Sequence, residues 1–347
     1  MAIKTLKIES LSAFEDATFE LVPGINVLLG ANSTGKTHAL KWLYASVKAL
    51  ELPVLEGEAA SERLLTKVPA VFASAERRID RLVTVGAGAE SGRVLVQGDE
   101  GRMLYSVHKP NALSFGGHWK SAAPTVFLPS REVLALYEGF VASYLNRELS
   151  LDETYYDACV ALSASVARGE RAELARTLLA PIEALLGGRV ELTGNRFEVV
   201  FGDAPGLRLE AHLVAEGLRK IGTLARLIQN GSVLPHGLLI WDEPESGLNP
   251  RLVAALVPIL QALATAGVQI VLATHDYLLA RRLSMLSEAS TSAVRPVNFF
   301  LLSRSGPSAP VEVASGPTLA ELPQTPMEEE FLRLYDDEGR AFAEGRG

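Results

Sequence analysis

The octapeptide GANSTGKT, residues 30–37, has the residue types and spacing of a phosphate-binding loop, G-x-x-x-x-G-K-[ST]. Its glycines permit a tight turn in which backbone N–H groups can point at phosphate oxygens, while the lysine adds positive charge and the threonine a hydroxyl for Mg²⁺. An ordinary glycine-rich turn is the alternative, but a strand, INVLL, runs into this loop and a helix leaves it, as the motif requires. The predicted nucleotide-binding residues are Gly30, Ala31, Asn32, Ser33, Thr34, Gly35, Lys36, Thr37 and His38.

A second stretch, LLIWDEPESGLNP at residues 238–250, ends an apolar strand in three carboxylates. Carboxylates this close repel one another unless a cation lies among them. Strand ends are also where α/β folds collect their ligands. We therefore predict that Asp242 binds Mg²⁺ together with Thr37, and that Glu243 orients or deprotonates an attacking water. A solvated acidic turn is the alternative, and it does not explain the apolar strand before it.

The pentapeptide LATHD, residues 272–276, closes another apolar strand with polar side chains. A histidine at such a strand end, beside a nucleotide, can donate a hydrogen bond to the γ-phosphate. His275 follows the acidic pair by about thirty residues, with one predicted helix between the two strands. This combination favours a catalytic His275 over a purely structural histidine.

The hydrophobic pattern predicts the elements that position these residues. Strands IKTLKI, ATFELV and INVLLG precede the phosphate loop, and a helix that ends before Pro53 follows it, with one apolar face made of Leu40, Leu43, Val47 and Leu50. RLVTVG, RVLVQG and RMLYSVH then alternate around glycine-rich turns, which predicts an antiparallel meander, and TVFLP predicts one more strand.

The chain from 132 to 187 is rich in predicted helix, with a kink at Pro181 and an apolar face made of Leu174, Leu178, Ile182 and Leu185. The hairpin RVELTGNRFEVVF follows, so the helical segment is interpreted as an insertion. Helices at 214–230 and 250–266 then alternate with strands at 237–242 and 268–274, and VNFFLL is the last predicted strand. The predicted domains are a nucleotide-binding lobe at 1–131, a helical lobe at 132–188, a C-terminal lobe at 189–305, and a Pro/Ser-rich linker with a short acidic helix at 306–347.

Composition excludes several classes of protein. A chain of 347 residues, 48% of them hydrophobic, can bury a substantial core. Its net charge of -8 argues against coating nucleic acid with a basic surface, although a local basic groove leaves DNA open as a partner. The sequence shows neither an apolar run of membrane-spanning length nor the apolar core of a secretory signal, so we expect a cytoplasmic protein without a membrane partner. The lone Cys159 is expected to be a small buried apolar residue.

GANSTGKT, LLIWDEPESGLNP and IVLATHD, in this order, resemble the Walker A, Walker B with D-loop, and H-loop motifs of ATP-binding-cassette (ABC) ATPases. Within that class the chain most resembles the branch of RecF-like, structural-maintenance-of-chromosomes-like and overcoming-lysogenization-defect-like enzymes, which includes bacterial AAA-family ATPases. The resemblance covers about residues 1–303. It implies an α/β fold of the P-loop NTPase, ABC-ATPase type, with a mixed central sheet, an antiparallel β meander and an inserted helical lobe.

The resemblance also implies that two heads enclose two ATP molecules with Mg²⁺. Lys36, Glu243 and His275 then act as catalytic residues from one subunit, and Thr37 and Asp242 bind the metal. The D-loop that faces the second subunit is formed by Ser246, Gly247, Leu248 and Asn249. The signature segment of that second subunit completes the site.

The signature segment, LVAEGLRK at 213–220, departs from the family pattern. Ala215, Glu216 and Gly217 fall at its core, where the glycine matches but alanine replaces the expected serine. One hydroxyl contact to the γ-phosphate is therefore missing, which predicts slow hydrolysis. Arg219 or Lys220 takes the place of the basic residue that commonly follows, and a plain helix start is the alternative for the whole segment.

Two further family features are matched by position alone. The glutamine of the Q-loop is absent from PSRE, residues 129–132, where either Arg131 or Glu132 takes its coupling role or the segment is an ordinary turn. The sequence does not identify the residue that contacts the adenine base, and Phe14 is the one candidate that we name.

The chain has neither a transporter-type LSGGQ signature nor a toprim nuclease domain or long coiled coil, so the resemblance predicts a compact head. We expect an ATP-hydrolysing switch that forms a homodimer or higher homo-oligomer around ATP and Mg²⁺. It would control a separate effector, a nuclease or toxin, in anti-phage defence, or act in DNA repair. The alternatives are a nucleotide-dependent scaffold with little hydrolysis and an ABC transporter ATPase subunit.

Overall fold

Runs of strands and runs of helices follow one another along the chain, and the computed structural model describes residues 2–51, 57–84, 89–120, 124–202, 206–289, 295–306 and 309–343. The strands are β1 (Ile3–Leu11), β2 (Phe14–Glu20), β3 (Ile25–Leu29), β4 (Ser91–Gly98), β5 (Gly101–His108), β6 (Ala112–Trp119), β7 (Thr125–Leu128), β8 (Gly188–Thr193), β9 (Arg196–Phe201), β10 (Arg208–Glu210), β11 (Leu238–Asp242), β12 (Gln269–Ala273), β13 (Val297–Ser303) and β14 (Glu312–Gly316). The helices are α1 (Lys36–Ala49), α2 (Gly57–Val71), α3 (Tyr137–Leu145), α4 (Glu153–Ser163), α5 (Glu170–Leu186), α6 (Glu216–Gln229), α7 (Pro250–Thr265), α8 (Tyr277–Glu288) and α9 (Pro326–Ala343). The predicted strands and helices around the three motifs are confirmed.

A mixed sheet carries the three motifs. Within the described residues it has six strands in the order β14–β13–β3–β12–β11–β7, and every neighbouring pair from β13 to β7 is parallel. Strands β3, β11 and β12 are buried at every residue, which explains why their sequences are continuous apolar runs rather than alternating ones. Because these strands are parallel, the segments that follow them meet at one edge of the sheet.

Alternate residues of the central strands contribute to two separate cores. Leu239 and Trp241 belong to a core formed with helices α3 to α8, whereas Leu238 and Ile240 belong to a core formed with α1, α2 and antiparallel strands. Cys159 lies in the first core, fully buried as predicted, and burial raises the pKa of its thiol to about 12. A thiol in this state acts as a small apolar group.

The antiparallel meander is confirmed, but with a different set of strands. The described strands pair in the order β2–β1–β4–β5–β6, so RVLVQG and RMLYSVH form β4 and β5. RLVTVG is not a strand in its described part, where a 3₁₀ turn at Ile79–Leu82 is followed by one bridge from Val83 to Leu11, and residues 85–88 lie outside the described residues. The third strand is instead β6, ALSFGGHW, whose two glycines and exposed polar residues hide its alternation.

The buried amide of Gln269 joins the two sheets. Its Oε1 accepts a hydrogen bond from the N–H of Ile3 at 2.8 Å, and its Nε2 donates to the carbonyls of Ile3 and Val22 at 2.8 and 2.9 Å. A buried amide without these partners would cost stability. Strand β12, which leads to His275, is thereby fixed to β1.

The predicted hairpin RVELTGNRFEVVF is confirmed as β8 and β9, and β10 pairs with β9 as a strand that the pattern did not predict. Helix α5 continues through Pro181. The predicted apolar face of this helix was wrong at Leu174, which is 39% exposed. A spacing of three and four residues fits two neighbouring faces equally well, so the pattern alone did not select the buried one. The buried face consists of Ala175, Leu178, Ile182 and Leu186.

The segment from 306 onward is not only the linker and short helix that we predicted. Strand β14 pairs antiparallel with β13, with Ala314 opposite Leu301, and α9 has 18 residues. Thr325 and Glu328 form a capping box at the start of α9: the N–H of Glu328 donates to Oγ1 of Thr325 at 3.2 Å, and the N–H of Thr325 donates to the Glu328 carboxylate at 2.9 Å. The short sequence EVASG carries no alternating pattern, which is why β14 was missed. Neither α9 nor any other helix in the described part of the chain is long and apolar enough to cross a membrane.

Candidate active site

The phosphate loop connects β3 to α1 and needs glycine at both ends. Gly30 has φ +142°, and a Cβ there would lie 2.2 Å from the carbonyl oxygen of Leu302. Gly35 has φ +92°, and a Cβ there would lie 3.0 Å from the ring of Phe14. Both positions therefore exclude a side chain on backbone and steric grounds. The sequence fixes the shape of the loop, which ends at the N-terminus of a long helix where anions bind favourably.

Lys36 folds back over this loop. Its Nζ donates hydrogen bonds to the carbonyls of Gly30 at 2.7 Å and Ala31 at 2.9 Å. The side chain is only 8% exposed, and burial lowers its pKa, while the nearby carboxylates of Glu243 and Asp242 oppose that shift. The two carbonyl groups accept hydrogen bonds from this ammonium but carry no full negative charge. A phosphate group in the loop would supply an anionic partner.

Thr37 and Asp242 are in direct contact although they are far apart in the sequence. The Thr37 hydroxyl donates to Oδ2 of Asp242 at 2.9 Å. Asp242 is 6% exposed, and burial raises its pKa to about 6, partly offset by the Thr37 hydrogen bond and reinforced by the charge of Glu243. A hydroxyl beside a buried carboxylate is an oxygen donor set of the kind that Mg²⁺ prefers, so these residues fit the predicted ion.

No group of three or more His, Cys, Asp or Glu side chains in the described ranges could enclose a metal ion by itself. Nucleotide-binding sites commonly use one or two protein ligands for Mg²⁺, with phosphate oxygens and water as the rest. Thr37 and Asp242 match that arrangement.

Glu243 has an unusual backbone conformation at the end of β11. Its φ is +48°, in the left-handed region that residues with side chains seldom adopt. The strand ladder nevertheless continues through it, because its N–H donates to the carbonyl of Ala273 on β12 at 2.9 Å. Backbone strain of this kind persists where the surrounding structure enforces it, often at functional sites.

His275 is brought to Glu243 by the parallel pairing of β11 with β12. Asp242 lies opposite Ala273 in this register, so the residues that follow each strand are neighbours. Nδ1 of His275 lies 3.4 Å from Oε1 of Glu243, and both side chains are partly exposed. The structure thus brings together the phosphate loop, Asp242 at the end of β11, and the residues Glu243 and His275 that follow β11 and β12.

Part of the phosphate loop and Glu243 border a cleft of about 1240 Å³, which is large enough for a nucleotide, whereas His275 does not line it. Lys36, Thr37, His38 and Glu243 line one part of it. The remaining wall includes residues 81–84, which follow α2 in sequence. The cleft therefore combines the phosphate loop with a region in which a base and sugar can lie.

Phe14 does not border this cleft, so Phe14 was wrong as the candidate for contacting the adenine base. Its side chain is fully buried, with the ring beneath Gly35 and edge-on to Phe19 at a centroid distance of 6.1 Å. Phe14 is buried like Ala17 and Phe19, although strict alternation along β2 would place it on the opposite face from both. Arg81 lines the cleft instead, and its planar guanidinium can stack on a base.

Arg304, directly after β13, is a cleft residue that the sequence analysis missed. Its Nη1 donates to the carbonyl of Ser33 in the phosphate loop at 3.2 Å, and its Nε donates to the carbonyl of Gly306 at 2.9 Å. Because β13 pairs in parallel with β3, its end lies next to the loop. The sequence signal that could have identified Arg304 was its position at the end of a predicted strand.

The predicted signature segment lies against the predicted D-loop of the same chain. A Cβ at Gly217 would lie 2.6 Å from the carbonyl oxygen of Gly247, so only glycine permits this approach. Ala215 is the N-cap of α6 and makes no side-chain capping hydrogen bond. Ala215, Glu216 and Gly217 border neither of the two cavities beside the phosphate loop. The structure therefore does not bring this segment into its own chain's cleft.

The D-loop residues 246–249 form a tight turn that leads into α7. Ser246 donates its N–H to the carbonyl of Glu243 at 3.1 Å, and Gly247 has φ +77°. The N–H of Leu248 donates to the carbonyl of Glu245 at 2.8 Å. Oδ1 of Asn249 accepts from two backbone N–H groups at 3.0 Å and so caps α7. The turn is thus held by its own backbone and by this cap.

Both basic residues after the signature segment make defined contacts. Nζ of Lys220 donates to the carbonyls of Glu243 at 2.7 Å and Ser246 at 3.1 Å. Nε of Arg219 lies 2.8 Å from Oε1 of the buried Glu132. Of the two residues proposed for the Q-loop role, the structure connects Glu132 to helix α6, whereas Arg131 is exposed.

A second cavity of about 890 Å³ also borders the phosphate loop. It is lined by residues 30–32, Glu245 and His275, and by Met327 and Phe331 of α9. The ring of Phe331 packs on Tyr277 at a centroid distance of 4.5 Å. The sequence pattern of the acidic C-terminal helix gave no sign that it borders the site.

Comparison with known proteins supports the same fold. Residues 129–281 match the family described as "AAA domain, putative AbiEii toxin, Type IV TA system". Over 44 residues the chain is 41% identical to "DNA replication and repair protein RecF" of Staphylococcus haemolyticus (strain JCSC1435). That match spans 13% of this chain and only 12% of the relative.

Solved structures match over nearly the whole length. The SMC head domain from Thermotoga maritima gives a TM-score of 0.51 at 11% identity, covering 90% of this chain and 98% of that one. The Smc head domain with an extended coiled coil bound to the C-terminal domain of ScpA, from Pyrococcus furiosus, gives 0.53 at 12% identity, covering 96% and 98%. An SmcHead bound to the C-winged helix domain of ScpA gives 0.55 at 14% identity, covering 92% and 98%. The chain therefore has the fold of an ABC-type ATPase head of the RecF-like and SMC-like kind, as its motifs predict.

Proposed function

We propose that this protein binds ATP with Mg²⁺, hydrolyses it slowly and uses the nucleotide to control its own assembly. The observation that carries the proposal is the convergence of Lys36, the Thr37–Asp242 pair, Glu243 and His275 on one edge of the central sheet. The fold supports it, because ABC-type heads are nucleotide-binding domains.

The phosphate loop and Lys36 account for binding. Backbone N–H groups at the start of α1 point along the helix axis toward an anion, and the Lys36 ammonium neutralises the terminal phosphates. Thr37 and Asp242 would hold Mg²⁺, which supplies further positive charge to the phosphate oxygens when bound. The backbone at Gly30 can be adopted only by glycine, so the loop already has its phosphate-binding conformation before the nucleotide binds.

Glu243 and His275 account for the hydrolysis step. We assign Glu243 to orient the attacking water and accept its proton, because its carboxylate lines the nucleotide cleft and is partly exposed. We assign His275 to donate a hydrogen bond to the γ-phosphate from Nε2, which requires the imidazolium form if Nδ1–H faces a carboxylate. Its Nδ1 faces Glu243, which restricts the orientation of the ring.

The signature segment supports assembly of two copies. Ala215 and Glu216 are exposed and border neither cavity of their own chain, so they are accessible to the cleft of a second copy. Ala215 offers no hydroxyl for a phosphate, which favours slow hydrolysis. We propose a homodimer or higher homo-oligomer whose ATP state controls a separate effector in genome defence or DNA repair, in line with the toxin system and the RecF protein named by its relatives.

A nucleotide-dependent scaffold with little hydrolysis is the second candidate. The observation that favours it is Ala215, because the missing hydroxyl lowers the stabilisation of the transferred phosphate without removing the binding loop. The two candidates differ in turnover rather than in nucleotide binding.

Phosphate release from ATP tests the proposal. We expect slow turnover by the wild type, loss of turnover and of ATP binding in Lys36→Ala, and loss of turnover alone in Glu243→Gln. Lys109→Ala is the matched control, because Lys109 lies on an exposed turn after β5 and, among the described residues, its side chain donates to the carbonyl of Ala89, away from the site. Equal and negligible turnover in all four proteins, with ATP bound by the wild type, would favour the scaffold.

A further inference from the structure

Glu245 is a buried carboxylate three residues after Asp242 with no role in the proposed chemistry. It is only 7% exposed, and burial raises its pKa. Carboxylates are seldom this buried unless a specific partner or function requires it, because removing the charge from water is costly.

The contacts of Glu245 go to the segment that follows β12. Its Oε1 accepts a hydrogen bond from the Thr274 hydroxyl at 2.6 Å and lies 3.3 Å from the N–H of His275, which also donates to it. Thr274 is fully buried, and its own N–H donates to the carbonyl of Leu28. Glu245 therefore connects the turn after β11 to the main chain that carries His275.

The imidazole ring of His275 is also close to this carboxylate. Its Nδ1 lies 3.8 Å from Oε1 of Glu245 and 3.4 Å from Oε1 of Glu243. Two carboxylate oxygens on the same side of the ring attract the Nδ1–H group and so select one ring orientation. One of these carboxylates is buried and fixed, while the other is partly exposed.

Burial of the Glu245 carboxylate costs stability, and packing alone does not explain why a charged residue lies at this position. Among the described residues, the buried Oε2 of Glu245 has no hydrogen-bond partner. An unsatisfied oxygen on a buried carboxylate destabilises the fold, and a neutral or apolar side chain of similar size would avoid that penalty. A role in positioning His275 accounts for a charged residue here.

We propose that Glu245 is a positioning residue that holds the main chain and the ring of His275 in place for ATP hydrolysis. The inference rests on the proposed function, because it assigns Glu245 to the same reaction. Glu245 acts through His275 and does not itself contact the nucleotide.

A double-mutant cycle tests this role. We expect Glu245→Gln to lower kcat by about tenfold with little change in KM, because a misoriented catalytic group loses part of its contribution. In a His275→Ala background, Glu245→Gln should cause no further loss, because the group through which it acts is gone. A loss of the same factor in both backgrounds, or no loss in either, would overturn the proposal.

Asp157→Asn is the matched control. Asp157 is a part-buried carboxylate on α4 that accepts from the Tyr44 hydroxyl at 2.7 Å and from Lys67, away from the β11 and β12 ends. It should leave kcat unchanged, and thermal unfolding of each variant separates effects on folding from effects on the reaction.

The NMR signals of the His275 ring in nucleotide-free protein give a readout that needs no turnover. We expect Glu245→Gln to shift them and Asp157→Asn to leave them in place; unchanged ring signals in Glu245→Gln would overturn the inference. Absence of turnover in the wild type would instead contradict the proposed function alone. The two failures are therefore distinguishable.

Discussion

The hydroxyl of Thr37 donates to the carboxylate of Asp242 at 2.9 Å, which joins the first turn of α1 to the end of β11 across 205 positions of sequence. This contact is the structural basis for the proposed Mg²⁺ site, and it makes the nucleotide-free protein sensitive to the charge of one buried carboxylate.

The first prediction concerns the pH dependence of stability. The folded state holds the Asp242 proton with a pKa of about 6, compared with 3.8 for an ordinary aspartate. Because the folded state binds this proton more tightly, the associated stability is present at low pH and is lost as the pH rises from about 4 to about 6. At pH 7 the penalty is about 3 kcal/mol, from roughly two pKa units.

We therefore expect Asp242→Asn to raise the free energy of unfolding of nucleotide-free protein at pH 7, by up to that amount, and to raise it less at pH 5. Urea denaturation at the two pH values measures this. A gain of the same size at both would show that ionisation of Asp242 is not its source. The variant should also lose the stabilisation that Mg²⁺ with ATP gives to the wild type.

The second prediction concerns Gly30. We expect Gly30→Ala to lower the free energy of unfolding by more than about 2 kcal/mol, since it combines an unfavourable φ with a 2.2 Å contact to backbone. Gly202→Ala is the control, because no heavy atom of the described residues, apart from its chain neighbours, lies within 4 Å of a Cβ there. Equal stability of the two variants in denaturant would contradict the described loop conformation.

The third prediction concerns Arg304. Its guanidinium contacts the phosphate loop and lines the cleft, so we expect Arg304→Ala to weaken ATP binding by about tenfold, the usual effect of losing one charged hydrogen bond. Titration with a fluorescent ATP analogue measures the change. The exposed Arg282→Ala on α8 is the control. An affinity in Arg304→Ala equal to that of the control would remove Arg304 from the site.

The fourth prediction concerns Lys220. Its ammonium holds the carbonyls of Glu243 and Ser246, so it fixes the turn that carries the proposed base. We expect Lys220→Met to lower kcat by about tenfold while KM changes little, since the phosphate loop is untouched. Lys48→Met, on the far end of α1, is the control. Loss of ATP binding in Lys220→Met, measured by titration, would show a wider structural role.

The sequence predicted the part of the site that depends on local pattern. The continuous apolar runs of β3 and β11 identified buried parallel strands, and polar residues at their ends could only meet at one edge of the sheet. The glycines of the phosphate loop likewise required specific backbone conformations. These features follow from residue type and spacing alone.

Other features depend on which distant segments pack together. The face on which Phe14 lies is set by the pairing of β2 with β1, and the proximity of Arg304 to Ser33 is set by the pairing of β13 with β3. Strand β14 and the buried bridge of Glu245 to Thr274 likewise arise from tertiary contacts. Spacing within one chain does not encode such pairings.

The solution mass of Glu243→Gln with and without ATP and Mg²⁺ tests the central claim most directly, because this variant should bind the nucleotide without releasing it as product. The account predicts that the mass at least doubles when ATP is added, and that Lys36→Ala in the same background abolishes the increase. An unchanged mass in Glu243→Gln with ATP bound would contradict an ATP-controlled assembly.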